Sequence, residues 1–210
     1  MRKARIAVLV SGGGTNLGAL IEAQKSGIIH SGRIELVISN KADAYALERA
    51  RAAEIPTRTV LLSECGTRDA FEEEIIKAID GAGIDLIILA GFMSILSERF
   101  TSHYRERIIN VHPSLIPAFC GEGFYGLRVH RAALDYGVKV SGATVHFVNE
   151  IPDGGKIIMQ KAVEVKEGDT PELLQRRIME EAEWKILPLS AEMICERIVS
   201  EGWSTPKKEK

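Results

Sequence analysis

Ala4-Arg5-Ile6-Ala7-Val8-Leu9-Val10-Ser11-Gly12-Gly13-Gly14-Thr15-Asn16 decides how the rest of the chain is read. The run Ala4 to Val10 is almost wholly apolar and reads as a buried strand. Three glycines break it. Leu17, Leu20, Ile21, Gln24 and Ile28 then follow at helical spacing, with Gly27 near the end. A strand, a glycine loop and a helix N-terminus bring backbone N–H groups and the positive end of a helix dipole to one place, which favours an anion. The dinucleotide pattern G-x-G-x-x-G fails, because Leu17 stands where the third glycine belongs, and no Gly-Lys-Ser/Thr makes a Walker loop. The next strand, Ile34 to Ile38, ends in Ser39-Asn40-Lys41 rather than in an acid for a ribose hydroxyl. The loop is either a tight βα turn or a phosphate cradle for something smaller than a dinucleotide.

Outward from this unit the pattern repeats. Asp43 to Glu54 reads as a helix with Ala46, Leu47, Ala50 and Ala53 on one face, ended by Pro56, and Thr57 to Leu62 as a third strand. Arg68 to Asp80 is an amphipathic helix on Phe71, Ile75 and Ile79, with Glu72, Glu73 and Glu74 near its N-terminal end. Asp85 to Ala90 is a fourth apolar strand. The alternation β-α-β-α-β-α-β predicts a mostly parallel, doubly wound, Rossmann-like α/β sheet. Later strands differ: Val138 to Val148 and Lys156 to Val165 are joined by the turn residues Asn149 to Gly155, so they predict an antiparallel extension. Ser141-Gly142 suggests a bulge or close approach. Thr170-Pro171 caps a helix whose stripe is Leu174, Ile178, Ala182 and Ile186, with Pro188 expected to kink or interrupt it. No repeat or linker breaks the chain, so residues 1–210 are read as one domain. A phosphate-binding half covers roughly 1–100, a second half roughly 101–200, and a frayed tail 204–210.

The residues most able to do chemistry lie in Ile109-Asn110-Val111-His112-Pro113-Ser114-Leu115-Ile116-Pro117. Asn110 and His112 share a face of a strand, at a strand end where α/β sheets bind ligands. Asn110 offers a neutral donor to an oxyanion, and His112 a group that titrates near neutrality. Asp153, in a proline-glycine turn, would orient an imidazole and raise its pKa. Each alone also has a plainer reading, His112 as a structural histidine and Asp153 as a turn-former. No G-x-S-x-G elbow argues for covalent catalysis, and His103, His130 and His146 show no metal-ligand spacing.

Composition bounds the rest. The 210 residues are 45% apolar and 27% charged, with 27 basic against 29 acidic residues, so no basic field recruits nucleic acid. Cys65, Cys120 and Cys195 are scattered, which suits a reducing compartment. With no signal-peptide pattern and no membrane span expected, the reading is a cytoplasmic protein.

Five segments occur in one order over almost the whole chain: Ser11 to Leu17, Ser39 to Ala44, Leu89 to Met93, Asn110 to Pro117, and Pro152 to Gly155. Together they resemble the phosphoribosylglycinamide formyltransferase family. The resemblance implies a formyltransferase fold, and transfer of a formyl group from 10-formyltetrahydrofolate, a co-substrate, to the amine of glycinamide ribonucleotide in purine synthesis, without a metal. It matches Asn110, His112 and Asp153 to the catalytic trio, and Gly13, Gly14, Thr15 and Asn16 to the substrate-phosphate loop. It matches Glu183 to the acid that contacts the ribonucleotide. Arg68, Met93, Ser94, Ile95 and Leu96, with Asn149, Glu150, Ile151 and Pro152, match the folate side. A homodimer is compatible with it; no nucleic acid or membrane partner is implied.

Two departures stand out. Ser94 replaces an arginine common after Gly-Phe-Met, and Phe119 to His130 replaces the usual short Pro-Gly-x-His-x-His. Rival readings are a formyltetrahydrofolate hydrolase, expected to carry an extra N-terminal domain; a methionyl-tRNA formyltransferase, expected to carry a basic C-terminal one; and a non-catalytic folate- or nucleotide-binding module.

Overall fold

β1 (Ala4–Val10) is buried at every position but Arg5, as a strand flanked on both sides by others must be. The computed structural model describes residues 2–201, which form two units, 2–94 with 191–201 and 95–190. In the first, β1 leads through the glycine loop into α1 (Thr15–Lys25), and then come β2 (Gly32–Ser39), α2 (Tyr45–Ala52), β3 (Thr57–Thr59), α3 (Leu62–Cys65), α4 (Arg68–Gly81) and β4 (Leu86–Leu89). The strands run in the order β3-β2-β1-β4, all parallel. Leu17, Leu20 and Ile21 of α1, Ala46, Leu47 and Ala50 of α2, and Phe71, Ile75 and Ile79 of α4 are buried. Burying that apolar surface is the dominant favourable contribution here, at roughly 25 cal/mol per Å².

The second unit holds α5 (Glu98–His103), β5 (Ile108–His112), α6 (Leu127–Tyr136), β6 (Val140–Phe147), β7 (Ile157–Glu164) and α7 (Pro171–Ile178). A π-helical stretch, Met179–Glu183, passes into α8 (Trp184–Glu201). β5, β6 and β7 are antiparallel. Parallel strands early and antiparallel ones late are the α/β arrangement expected from the sequence. Close approach at Gly142 is met as well, since a Cβ there would overlap the Lys161 carbonyl oxygen of β7. The irregular register falls elsewhere, between Val145 and His146.

Three details differ from expectation. Residues 57–62 hold only three strand residues before α3 begins, because Leu61 and Leu62 start a helical turn closed by the Glu64 and Cys65 N–H groups on the Leu61 carbonyl. α1 stops at Lys25, so Ile28 falls outside its stripe and is exposed while Ile29 is buried. Pro188, expected to kink or interrupt its helix, lies inside α8, and the irregularity comes earlier, as the π stretch. The tail expected over 204–210 lies outside the described residues.

Candidate active site

β5 delivers Asn110 and His112 two positions apart, so both face the same way. Antiparallel pairing puts His146 of β6 opposite Asn110 and Thr144 opposite His112. Asp153 comes from the turn after β6. Its φ of 56° is left-handed, a conformation aspartate adopts more readily than most residues.

The carboxylate of Asp153 faces two imidazoles. Its Oδ2 lies 3.3 Å from His112 Nδ1, and its Oδ1 lies 3.5 Å from His146 Nε2. The Gly121 N–H also donates to Oδ2, at 2.9 Å. Burial works to raise the Asp153 pKa, but His146, His112 and this N–H together outweigh it and hold the carboxyl below its usual range. Asp153 is therefore an anion at neutral pH.

His112 is 5% exposed, and its Nε2 lies 2.9 Å from the Phe119 carbonyl oxygen. A carbonyl only accepts, which assigns the proton to Nε2. Burial pushes the His112 pKa down, against the opposing pull of Asp153 and the Phe119 carbonyl. Burial thus favours the neutral ring, and the Asp153 carboxylate beside Nδ1 favours the charged one. A negative charge developing nearby favours its cationic form.

His146, 1% exposed, is fixed at both nitrogens. Nδ1 lies 2.8 Å from the Phe147 carbonyl oxygen, and Nε2 lies 3.2 Å from Asn110 Nδ2 and 3.5 Å from Asp153 Oδ1. The Asn110 amide is thereby oriented, and its nitrogen carries a second hydrogen that can meet an oxyanion. Below the pair, Thr144 Oγ1 donates to the Ser114 carbonyl at 2.7 Å and accepts from the Ile116 N–H and from Gln160 Nε2. Ser114 Oγ donates to the Ala118 carbonyl at 2.6 Å. These bonds hold the turn that leaves β5.

The structure thus brings Asn110, His112 and Asp153 together, and adds His146, Phe119 and Gly121, which sequence reasoning missed. The alternation Thr144-Val145-His146-Phe147 on a strand was the available signal. It could not be used without the β5–β6 register, which a connection of more than twenty residues leaves open. Glu183 is buried in the π stretch, which packs against β6 and β7; π turns recur at functional sites. Asn149 Oδ1 accepts the Ile151 N–H at 3.1 Å, and Glu150, Ile151 and Pro152 are exposed beside Asp153. Ile95 is exposed and Leu96 buried.

In the first unit the glycine loop is shaped by α2. The Ala46 N–H donates to the Gly12 carbonyl and Arg49 Nε to that of Gly13. Gly14, at φ 70°, has no room for a Cβ, which would stand 2.6 Å from that of Ala46. Thr15 and Asn16 open α1, whose eleven residues aim a helix dipole at the loop. The Met93 N–H donates to Ser11 Oγ at 2.8 Å, and Ser94 Oγ accepts from Asn40 Nδ2 at 2.9 Å. The serine that replaces arginine is thus bonded to the Ser-Asn-Lys segment. Arg68 is exposed at the start of α4, its Nε 3.5 Å from Glu72.

Among the described residues, the group able to hold a metal ion is His30, Glu192 and Glu196. The Glu192 carboxylate already accepts the main-chain N–H groups of His30 and Ser31, and none of the three belongs to the site above.

An amide donor and a buried imidazole at the end of β5 face an anion from the turn after β6, and residues 4–190 match the family model described as Formyl transferase. A phosphoribosylglycinamide formyltransferase from Escherichia coli (strain K12) is 45% identical over 184 residues, 88% of this chain and 84% of that one. The solved glycinamide ribonucleotide transformylase 1 from Symbiobacterium toebii superposes with a TM-score of 0.87 at 44% identity, covering 93% of this chain and 89% of that one. A trifunctional purine biosynthetic protein adenosine-3 from Gallus gallus is 42% identical over 200 residues, 95% of this chain and 19% of that protein. The chain belongs to the phosphoribosylglycinamide formyltransferase family.

Proposed function

We propose that the protein transfers the formyl group of 10-formyltetrahydrofolate to the amine of glycinamide ribonucleotide, in purine synthesis. The observation that carries this reading is the contact set Asn110–His146–Asp153–His112 within one family member, since binding alone needs no imidazole set between a carboxylate and an amide. The neutral substrate amine attacks the formyl carbon, a C–N bond forms, and the carbonyl oxygen becomes an oxyanion. Asn110 and a protonated His112 stabilise that oxyanion, and Asp153 supports the imidazolium. The intermediate collapses by breaking the bond from the formyl carbon to the folate nitrogen. The proton lost by the amine passes to that nitrogen, so tetrahydrofolate leaves neutral at that atom.

The remaining roles are part of the same proposal. Gly13, Gly14, Thr15 and Asn16 hold the substrate phosphate, and Glu183 meets the ribonucleotide. Arg68, Met93, Ser94, Ile95 and Leu96 with Asn149, Glu150, Ile151 and Pro152 form the folate side. Residues 1–210 act as one functional domain in the cytoplasm; sedimentation in solution decides whether a homodimer forms. No helix among the described residues is long and apolar enough to cross a membrane.

The test is to mix purified protein with both substrates, without added metal, and measure formylated ribonucleotide, tetrahydrofolate and free formate. Equal amounts of the first two are expected. Formate in place of formylated product would mean hydrolysis, and tight binding with no turnover would mean a non-catalytic module.

A further inference from the structure

The turn Phe119-Cys120-Gly121 touches both members of the His112–Asp153 pair, and it does so with main-chain atoms. The Phe119 carbonyl accepts from His112 Nε2 at 2.9 Å, and the Gly121 N–H donates to Asp153 Oδ2 at 2.9 Å. An acceptor and a donor two residues apart each meet a group of opposite polarity. Both positions have left-handed backbone, φ 50° at Phe119 and 89° at Gly121. For phenylalanine that conformation persists only where its surroundings impose it. Here Cys120 Sγ donates to the Pro117 carbonyl, and the Phe119 ring lies edge-on to Phe124 and to Tyr136 of α6, with centroids 6.4 and 5.9 Å away. At Gly121 no atom lies within 4 Å of where a Cβ would stand, so backbone conformation alone asks for glycine.

We infer that this turn is a main-chain positioning clamp for His112 and Asp153, holding a proton of the ring on Nε2 toward Phe119 and the carboxylate beside Nδ1, where it meets the second proton of the imidazolium. The inference rests on the formyl-transfer reading. In that reaction the formyl oxygen takes over from the Phe119 carbonyl as acceptor at Nε2, while Gly121 keeps Asp153 in line. Phe119 and Gly121 are thus positioning residues, acting through the pair. The segment that departs most from the family's usual spacing is the one that sets the pair's geometry.

Gly121→Ala tests it. The new Cβ clashes with nothing, but it disfavours the left-handed conformation and lowers the population of the clamped turn by roughly 5- to 30-fold. Gly168→Ala is the control: its φ is 80° and its surroundings are equally open. The other titratable groups facing the pair are His146 from β6, His130 from α6 and the Cys120 thiol of the turn, and neither variant alters them.

In the ligand-free protein, the Gly121 amide resonance should follow Asp153 ionisation and lose that dependence in Asp153→Asn. In Gly121→Ala, kcat should fall roughly 5- to 30-fold with less change in KM, and the acid limb of kcat/KM should move to higher pH, because the carboxylate loses a donor. Gly121→Asn, which tolerates a positive φ and keeps its N–H, should recover most of the loss, and Gly168→Ala should match wild type. A Gly121→Ala profile that superimposes on wild type, or an amide indifferent to Asp153, overturns the clamp. The amide titration needs no turnover, so a wild-type enzyme that forms no formylated product would end the formyl-transfer reading and leave the clamp decided separately.

Discussion

His130 lies on α6 with no exposed surface, and neither of its ring nitrogens has a hydrogen-bond partner among the described residues. Burial, with the nearby His112, pushes its pKa down to about 4. Between pH 6.5 and 4 the unfolded chain therefore binds a proton that the folded one refuses, so folding stability rises with pH across that window. Acidification through it should cost ~3 kcal/mol at this residue. His130→Leu should flatten the pH dependence of denaturant-unfolding free energy by about that amount, and a slope unchanged from wild type would contradict the assignment. Asp153 acts in the same direction: its carboxyl is held low, so its contribution is present above the unfolded value and is lost as pH falls through the folded one. Asn110, His112 and Asp153 were legible as chemistry because amide, imidazole and carboxylate are rare together at strand ends and turns. His146 was not, since a histidine on a strand declares no role until the strand opposite is in register. Nor were Phe119 and Gly121, which act through main-chain atoms that every residue possesses.

At the scale of elements, local signals were read well where one residue type has one physical consequence. Thr170 caps α7 by accepting the Leu173 N–H, with Pro171 at the first helical position. Thr170→Ala should destabilise the protein by ~1 kcal/mol in equilibrium unfolding with catalysis intact, since α7 carries no proposed catalytic group. Gly142 is needed by the spacing of β6 and β7, and Gly142→Ala should cost ~1–3 kcal/mol in the same measurement. It should also lower activity, because Thr144 two residues on braces the turn after β5. Unfolding curves that coincide with wild type would show that the strands can part at no cost. Signals failed where two structures compete for one short segment. The run Thr57 to Leu62 has strand composition, yet the chain leaves β3 after Thr59 and turns into α3. Pro188 was expected to kink or interrupt its helix, yet it lies inside α8, and the irregularity falls in the π stretch just before.

For the whole molecule, the alternation of apolar strands and amphipathic helices identified the α/β class, and the short turn between β6 and β7 marked that pair as antiparallel, whereas the antiparallel pairing of β5 with β6 lay hidden behind a long connection. A net charge of −2 and a family match over residues 4–190 agree with a small-molecule enzyme. Activity should fall as pH drops, once the attacking amine and Asp153 take up protons; a kcat/KM profile level down to pH ~4, near the free carboxyl value, would contradict the roles given to them. The central claim is that His112, aligned by Asp153 and partnered by Asn110, carries the charge that develops on the formyl oxygen. The most direct test is kcat of His112→Ala against wild type at neutral pH, on protein shown by circular dichroism to be folded. A fall of roughly 10²- to 10³-fold is predicted, the size expected for loss of an oxyanion donor. A kcat within about threefold of wild type, less than 1 kcal/mol of barrier, would contradict it.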